Sequence, residues 1–127
     1  MPITNFDHTG VMVADLDRSI AFYQDVLGLT LMGRLIHTDP SIELAFLGLG
    51  GRVFVELVSG YNSELPEEGK VHHLAFTVEG IDEEIARLKS LNVTFIDEEV
   101  TTLPNGGKYI YFYGPDKEWI ELFQHSK

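Results

Sequence analysis

The stretch HTGVMVADLDRSIAFYQDVLG, residues 8–28, contains the pattern that decides the fold. Its first residues alternate in polarity, with Val11 and Val13 on one side, which is the period of a half-buried strand. After Asp15 the apolar residues recur every three or four positions, which is the period of a helix. Asp15 is a typical N-cap and Gly28 a typical C-terminal stop. The stretch therefore predicts a strand followed directly by a helix.

A second copy of this pattern begins 65 residues further along the chain. The stretch HLAFTVEGIDEEIARL, residues 73–88, again alternates and then changes to helical spacing. The register extends beyond these stretches, because 48 residues separate His8 from Glu56 and also His73 from Glu121. Since the offset needs no gap, we interpret the chain as a duplication.

Each half contains four strand-like runs, one before the helix and three after it. In order they cover residues 6–13, 29–35, 42–47, 53–58 and then 72–78, 93–100, 108–113 and 118–123. We therefore expect an α+β fold of two tandem β-α-β-β-β modules in a single domain, residues 1–127. Module one spans about residues 3–58, the polar linker about 59–70 and module two about 71–125.

The composition narrows the class of partner. Twenty acidic residues against nine lysines and arginines give a net charge of −11, which argues against nucleic acid and anionic membranes. The chain has no cysteine, so disulfides, thiolate metal sites and cysteine nucleophiles are excluded. No apolar run approaches a membrane span and no signal sequence is visible. We expect a cytoplasmic protein with a small-molecule substrate.

Strand alternation predicts where the repeated histidines and glutamates point. If Val55 and Leu57 face the helix, the side chain of Glu56 faces away from it. The same alternation places the other three residues on the face away from the helices. They are His8, His73 and Glu121.

The predicted surroundings of these four side chains are apolar. Their neighbours on the same face are Met12, Phe54, Val58, Trp119 and Phe123. A carboxylate in such company is unfavourable unless a cation or a hydrogen-bond donor satisfies it. Two histidines and two carboxylates form a full set of protein ligands for one divalent transition metal. We therefore predict a metal site.

The remaining histidines and a row of tyrosines carry weaker predictions. His72 points away from His73 by strand alternation and is predicted to be structural. His37 lies near a loop and is predicted to be exposed, and His125 lies in the tail. Tyr109, Tyr111 and Tyr113 alternate on one side of a strand, where they either pack the sheet or line a cavity. Both readings stay open.

Several motifs resemble the vicinal oxygen chelate superfamily, which includes glyoxalase I, bleomycin-resistance proteins and dioxygenases. The motifs are residues 8–11, 15–23, 27–28, 73–78 and 114–122. The resemblance implies two β-α-β-β-β modules whose mixed sheets curl into a cup around one divalent metal. In the glyoxalase I branch the ligand positions match His8, Glu56, His73 and Glu121. The metal implied is nickel, cobalt or zinc, with iron or manganese as further candidates, and a homodimer is implied as the assembly.

The resemblance also implies a reaction of the lactoylglutathione lyase type. In such a lyase or isomerase the metal polarises two neighbouring substrate oxygens and stabilises an enediolate. Glu121 or Glu56 is the general base, and the analogy favours Glu121. Met12 and Gly60 stand where glyoxalase I carries an arginine and an asparagine. Both departures weigh against glutathione recognition.

Two other classes within the superfamily remain as alternatives. A non-haem iron dioxygenase uses two histidines and one carboxylate, so Glu56 as a fourth ligand counts against it. A drug or small-molecule binding protein without a metal would use Phe54, Trp119 and Phe123 for stacking. The presence of all four candidate ligand residues counts against this second alternative.

Overall fold

The computed structural model describes residues 7–67, 69 and 72–126. The predicted beginnings of the first strand, at Phe6, and of module one, at about residue 3, lie outside the described residues. The chain divides into two compact units, Met1–Leu65 and Pro66–Lys127. Each unit contains one four-stranded sheet and its helix.

The first unit builds a mixed sheet around one helix. Its elements are β1 (Thr9–Val13), α1 (Leu16–Ala21), β2 (Thr30–Ile36), β3 (Glu43–Leu49) and β4 (Arg52–Ser59). The strand order is β1-β4-β3-β2, with β1 parallel to β4 and the other pairs antiparallel. Helix α1 contacts β3 and β4, and thus covers the sheet face where Val55 and Leu57 are buried.

Both ends of the first helix agree with the sequence. The side chain of Asp15 accepts a hydrogen bond from the Arg18 N–H at 3.1 Å, so the predicted N-cap is confirmed. The helix continues into a π-helical turn, Phe22–Val26, which buries Tyr23 completely. Gly28 then adopts a φ of +77°, as the predicted C-terminal stop requires.

The second unit repeats this architecture. Its elements are β5 (Leu74–Thr77), α2 (Ile81–Ser90), β6 (Thr101–Thr102), β7 (Lys108–Tyr113) and β8 (Trp119–Gln124). The strand order is β5-β8-β7-β6, with β5 parallel to β8. Helix α2 begins after Gly80, and the Ile81 N–H donates to the side-chain oxygen of Gln124 at 2.8 Å.

Strand pairing preserves the 65-residue offset of the sequence. Glu56 lies opposite Gly10 and Phe46 in the first sheet. Glu121 lies opposite Ala75 and Tyr111 in the second. The α+β class is therefore confirmed, with two open, mixed four-stranded sheets and one helix against each.

The strand predicted at residues 93–100 is wrong for most of its length. Only a single bridge joins Phe95 to Phe112, and the two-residue strand β6 lies further on. The carboxylate of Asp97 accepts the Tyr111 N–H at 3.0 Å, a bond that a strand carbonyl would otherwise take. The Ile96 N–H still donates to the Tyr111 carbonyl at 3.0 Å, but the Tyr111 N–H is taken by a side chain, so the regular ladder ends here.

Burial follows the predicted alternation. Val55 and Leu57 in β4 and Ile120 and Leu122 in β8 are at most 2% exposed and form the core side of each sheet. Within the described residues, neither helix is long and apolar enough to cross a membrane.

Candidate functional site

The first half-site consists of His8 and Glu56. Glu56 lies in the middle of β4 between two buried residues, and its side chain is 18% exposed. His8 directly precedes β1, and the parallel pairing of β1 with β4 carries it to the same place. Its Nε2 lies 3.0 Å from Oε2 of Glu56. The structure thus brings together the first predicted histidine and glutamate.

Asp7 is a member of this half-site that sequence reasoning missed. Its Oδ2 lies 2.7 Å from Nδ1 of His8. This hydrogen bond raises the pKa of His8 above its ordinary value of 6.5; partial burial opposes the rise and the charge of Glu56 adds to it. The adjacency of an aspartate to a candidate ligand histidine was the available signal.

The second half-site consists of His73 and Glu121. Glu121 lies in β8 between the buried residues Ile120 and Leu122, and its side chain is only 10% exposed. His73 directly precedes β5, as His8 precedes β1. Its Nε2 lies 3.5 Å from Oε1 of Glu121. The second predicted pair is therefore also brought together.

His72 lies beside His73, so the prediction that it points to the opposite face is wrong. The two Nδ1 atoms are 3.0 Å apart, and the His72 ring centroid lies 4.6 Å from that of Trp119. Both histidines precede β5, which begins at Leu74. Outside the strand the backbone does not alternate, so parity does not separate neighbouring side chains.

Tyr111 joins the second half-site from the adjacent strand. Its hydroxyl lies 3.4 Å from Nδ1 of His73. Burial raises the pKa of Tyr111, and the nearby charge of Glu121 raises it further. The phenol is therefore protonated at neutral pH and is available as a hydrogen-bond donor.

Tyr113, the next tyrosine of the row, contacts a different residue. The Tyr113 hydroxyl donates to the carboxylate of Glu67, to which the Trp119 indole N–H also donates at 3.4 Å. The hydrogen bond from Tyr113 is the main reason why the pKa of Glu67 is lowered. Tyr111 and Tyr113 therefore make polar contacts in addition to packing the sheet.

The donor atoms of each half-site have the spacing of two ligands on one ion. Donors about 2.1 Å from a metal and about 90–110° apart lie about 3.0–3.4 Å from each other. The His8–Glu56 separation of 3.0 Å falls within this range, and the His73–Glu121 separation of 3.5 Å lies just above it. Each half-site supplies two such donors, and the described residues contain no ready-made group of three or more. The donor chemistry of each pair fits a divalent transition metal.

The two departures from glyoxalase I have different structural settings. Met12 lies in β1 and is 38% exposed. Gly60 has a φ of +83°, and a Cβ there would lie 1.9 Å from the carbonyl oxygen of Ser41. The backbone at Gly60 therefore excludes any side chain, whereas the side chain of Met12 is exposed.

The other two histidines stay outside both half-sites. His37 is exposed, as predicted, and its Nδ1 accepts the Asp39 N–H at 2.9 Å. The ring of His125 packs against Phe123, with the centroids 4.7 Å apart. Neither ring contributes to a pair with a glutamate among the described contacts.

Comparison with known proteins agrees with this architecture. Residues 5–122 match the model of the Glyoxalase/Bleomycin resistance protein/Dioxygenase superfamily. The uncharacterized protein YwbC of Bacillus subtilis is 55% identical over 93% of this chain and 95% of its own length. A lactoylglutathione lyase of Haemophilus influenzae is 34% identical over 94% of this chain and 91% of its own.

Solved structures include a similar protein. The trypanothione-dependent glyoxalase I of Leishmania major superposes with a TM-score of 0.78 at 28% identity. The match covers 96% of this chain and 87% of that one.

Proposed function

The chain belongs to the glyoxalase/bleomycin resistance protein/dioxygenase superfamily, and from this premise we propose that it is a metal-dependent lyase or isomerase. The observation that carries the proposal is the occurrence of two histidine–glutamate pairs with ligand spacing. His8, Glu56, His73 and Glu121 together supply the ligands of one divalent ion. Nickel, cobalt and zinc are the first candidates, and iron and manganese follow.

The reaction proposed is a proton transfer next to a carbonyl group of a small-molecule substrate. When bound, the metal supplies Lewis-acid polarisation of the substrate oxygens. Glu121 moves the proton. Its carboxylate is largely shielded from water, and it stands beside the protonated hydroxyl of Tyr111, which can orient it.

Glu121 suits the role of base better than Glu56. The side chain of Glu121 is 10% exposed and that of Glu56 18%, so bulk water competes less for Glu121. The partner of Glu56, His8, is in addition hydrogen-bonded to the charged side chain of Asp7. Glu56 therefore belongs to a more polar network, which favours a role as a ligand.

The names of the relatives suggest the class of substrate, and two residues of this chain restrict the choice of thiol. Relatives named lactoylglutathione lyase suggest a 2-oxo or 2-hydroxy thioester as the substrate. Met12 and Gly60 weigh against glutathione as the thiol, because neither offers a polar group. The proposed setting is a cytoplasmic homodimer, and sedimentation analysis tests the assembly.

Metal analysis tests the ligand set. The purified chain is stripped, reconstituted with nickel, cobalt or zinc, and measured for bound ion. One ion per chain, lost in His8→Ala and also in His73→Ala, supports a shared site. Two ions per chain, each lost in only one variant, would show that the pairs bind separately and would refute the proposal.

Proton exchange tests the base. Glu121→Gln is expected to slow solvent exchange at the reacting carbon by about 10²–10⁴-fold. Glu98→Gln is the control, because Glu98 is an exposed carboxylate outside both half-sites. Unchanged exchange in Glu121→Gln, with metal retained, would exclude Glu121 as the base.

Ring packing in the second half-site supports a second candidate, a small-molecule binding protein. The ring centroids of His72 and Tyr111 lie 4.6 and 5.4 Å from that of Trp119. The three rings together form an aromatic surface. Ligand binding that survives a chelator, without a stoichiometric ion, would favour this candidate. Oxygen uptake with a catechol after iron loading would instead favour a dioxygenase.

A further inference from the structure

In both half-sites the residue just before the ligand histidine contacts Nδ1 of its ring. Asp7 Oδ2 lies 2.7 Å from Nδ1 of His8, and Nδ1 of His72 lies 3.0 Å from Nδ1 of His73. Asp7 and His72 occupy the same position of the 65-residue repeat. The contact is therefore duplicated, although the residue type that makes it has changed.

Each ligand histidine also has a competing acceptor at its other ring nitrogen. Glu56 lies 3.0 Å from Nε2 of His8, and Glu121 lies 3.5 Å from Nε2 of His73. A neutral imidazole has one N–H, which either nitrogen can carry. A proton on Nε2, directed at the glutamate, would remove the lone pair that a metal needs there.

We propose that Asp7 and His72 are positioning residues that hold the proton of the ligand histidines on Nδ1. Nε2 is thereby left as a lone pair on the side of Glu56 and Glu121. This inference deepens the proposed function and rests on it for its metal-binding consequence. The placement of the proton itself is a property of the metal-free chain.

Asp7 and His72 hold the proton on Nδ1 with different strength, because one is a carboxylate and the other an imidazole. A carboxylate only accepts hydrogen bonds, so Asp7 always favours the proton on Nδ1 of His8. His72 accepts at Nδ1 only when its own proton is on Nε2, and its contact is longer. The Tyr111 hydroxyl, 3.4 Å from the same Nδ1, can support either arrangement. His8 is therefore held more firmly than His73.

The role of Asp7 can be separated from folding. Its side chain is 93% exposed, so its removal takes away little packing. Asp25 is an exposed aspartate at the π-helical turn after α1 and lies outside both half-sites. Asp25→Ala removes the same charge and is the matched control.

Nitrogen-15 NMR of the metal-free protein, at a pH where the imidazoles are neutral, reports which ring nitrogen carries the proton. We expect Nδ1–H for His8 in the natural chain, in Asp25→Ala and in Asp7→Asn, whose amide oxygen still accepts. We expect a shift to Nε2–H in Asp7→Ala. An unchanged His8 signal in a folded Asp7→Ala variant would overturn the inference.

A second measurement keeps the test decisive if Asp7→Ala does not fold. His72→Ala is expected to shift the His73 proton towards Nε2, whereas His72→Asp is expected to hold it on Nδ1. An identical His73 signal in both variants would equally overturn the inference.

Zinc affinity, measured by competition with a chelator, supplies the metal-binding arm. Asp7→Ala is expected to bind zinc about 10–100-fold more weakly and His72→Asp more tightly, with Asp25→Ala unchanged. Equal affinity of Asp7→Ala and Asp25→Ala would refute the metal-binding consequence. If the natural chain bound no ion, the proposed function would fail, while the NMR result would still decide the position of the proton.

Discussion

Replacing Gly60 by alanine tests whether the fold itself excludes the asparagine of glyoxalase I from this position. Gly60 and Gly28 have nearly the same backbone angle, with φ values of +83° and +77°. A Cβ at Gly28 would meet nothing within 4 Å, whereas a Cβ at Gly60 would lie 1.9 Å from the Ser41 carbonyl oxygen. The pair of variants therefore separates backbone strain from a steric clash.

The expected losses of stability follow from the backbone strain and the steric clash. Alanine in the left-handed region costs about 1–2 kcal/mol of stability, and both variants lose this amount. Only Gly60→Ala must also displace the Ser41 carbonyl by more than about 1 Å, and overpacking of this kind costs about 1–3 kcal/mol. We expect a loss of about 2–5 kcal/mol for Gly60→Ala and about 1–2 kcal/mol for Gly28→Ala.

Urea denaturation followed by circular dichroism measures both losses. The midpoint for Gly60→Ala is expected to fall about twice as far as that for Gly28→Ala, with similar slopes. Equal losses in the two variants would refute the steric argument. In that case the lack of an asparagine at this position would have no structural cause.

Two further predictions concern a buried hydroxyl and the first half-site. Ser19→Ala is expected to raise the free energy of unfolding by up to about 1 kcal/mol, because the Ser19 Oγ is buried without a hydrogen-bond partner in the described part of the chain; a thermal melt with a lower midpoint would contradict this. In the metal-free protein, Asp7→Asn is expected to reduce stability most below pH 6.5, where His8 is charged in both folded and unfolded states. Because the folded pKa of His8 is raised, chiefly by Asp7, the difference should disappear as the pH rises through that value, and a difference that grows with pH in denaturation experiments would exclude this origin.

The sequence predicted the fold where a repeating pattern constrains it. Period-two alternation placed Val55 and Leu57 on the buried side of β4, and the structure confirms it. The N-cap at Asp15 was also predictable, since it depends on residues only three positions apart. Such features are local, so neighbouring residues are sufficient to define them.

The segment at residues 93–100 was not predictable from the same patterns. Its composition is that of a strand, but the Asp97 carboxylate takes the Tyr111 N–H across the sheet. That competition depends on a residue 14 positions away along the chain. Strand propensity does not include such a contact, so the pattern overstated the length of the strand.

The contacts of His72 illustrate the same limit at the site. Alternation predicted opposite faces for His72 and His73, but the strand begins only at Leu74. The first residue of β5 is decided by its hydrogen bonding to β8. The sequence around His72 and His73 does not contain that information.

The sequence by itself determined that two histidines and two glutamates recur in register and that the glutamates share the face opposite the core. Only the tertiary structure decided which atoms approach each other. Parallel pairing brings Nε2 of His8 to Glu56 and Nε2 of His73 to Glu121, and the chain just before each strand brings Asp7 and His72 to the opposite ring nitrogen. The physical reason is that side-chain period is a property of a single strand, whereas the orientation of an imidazole depends on hydrogen bonds from neighbours outside that period.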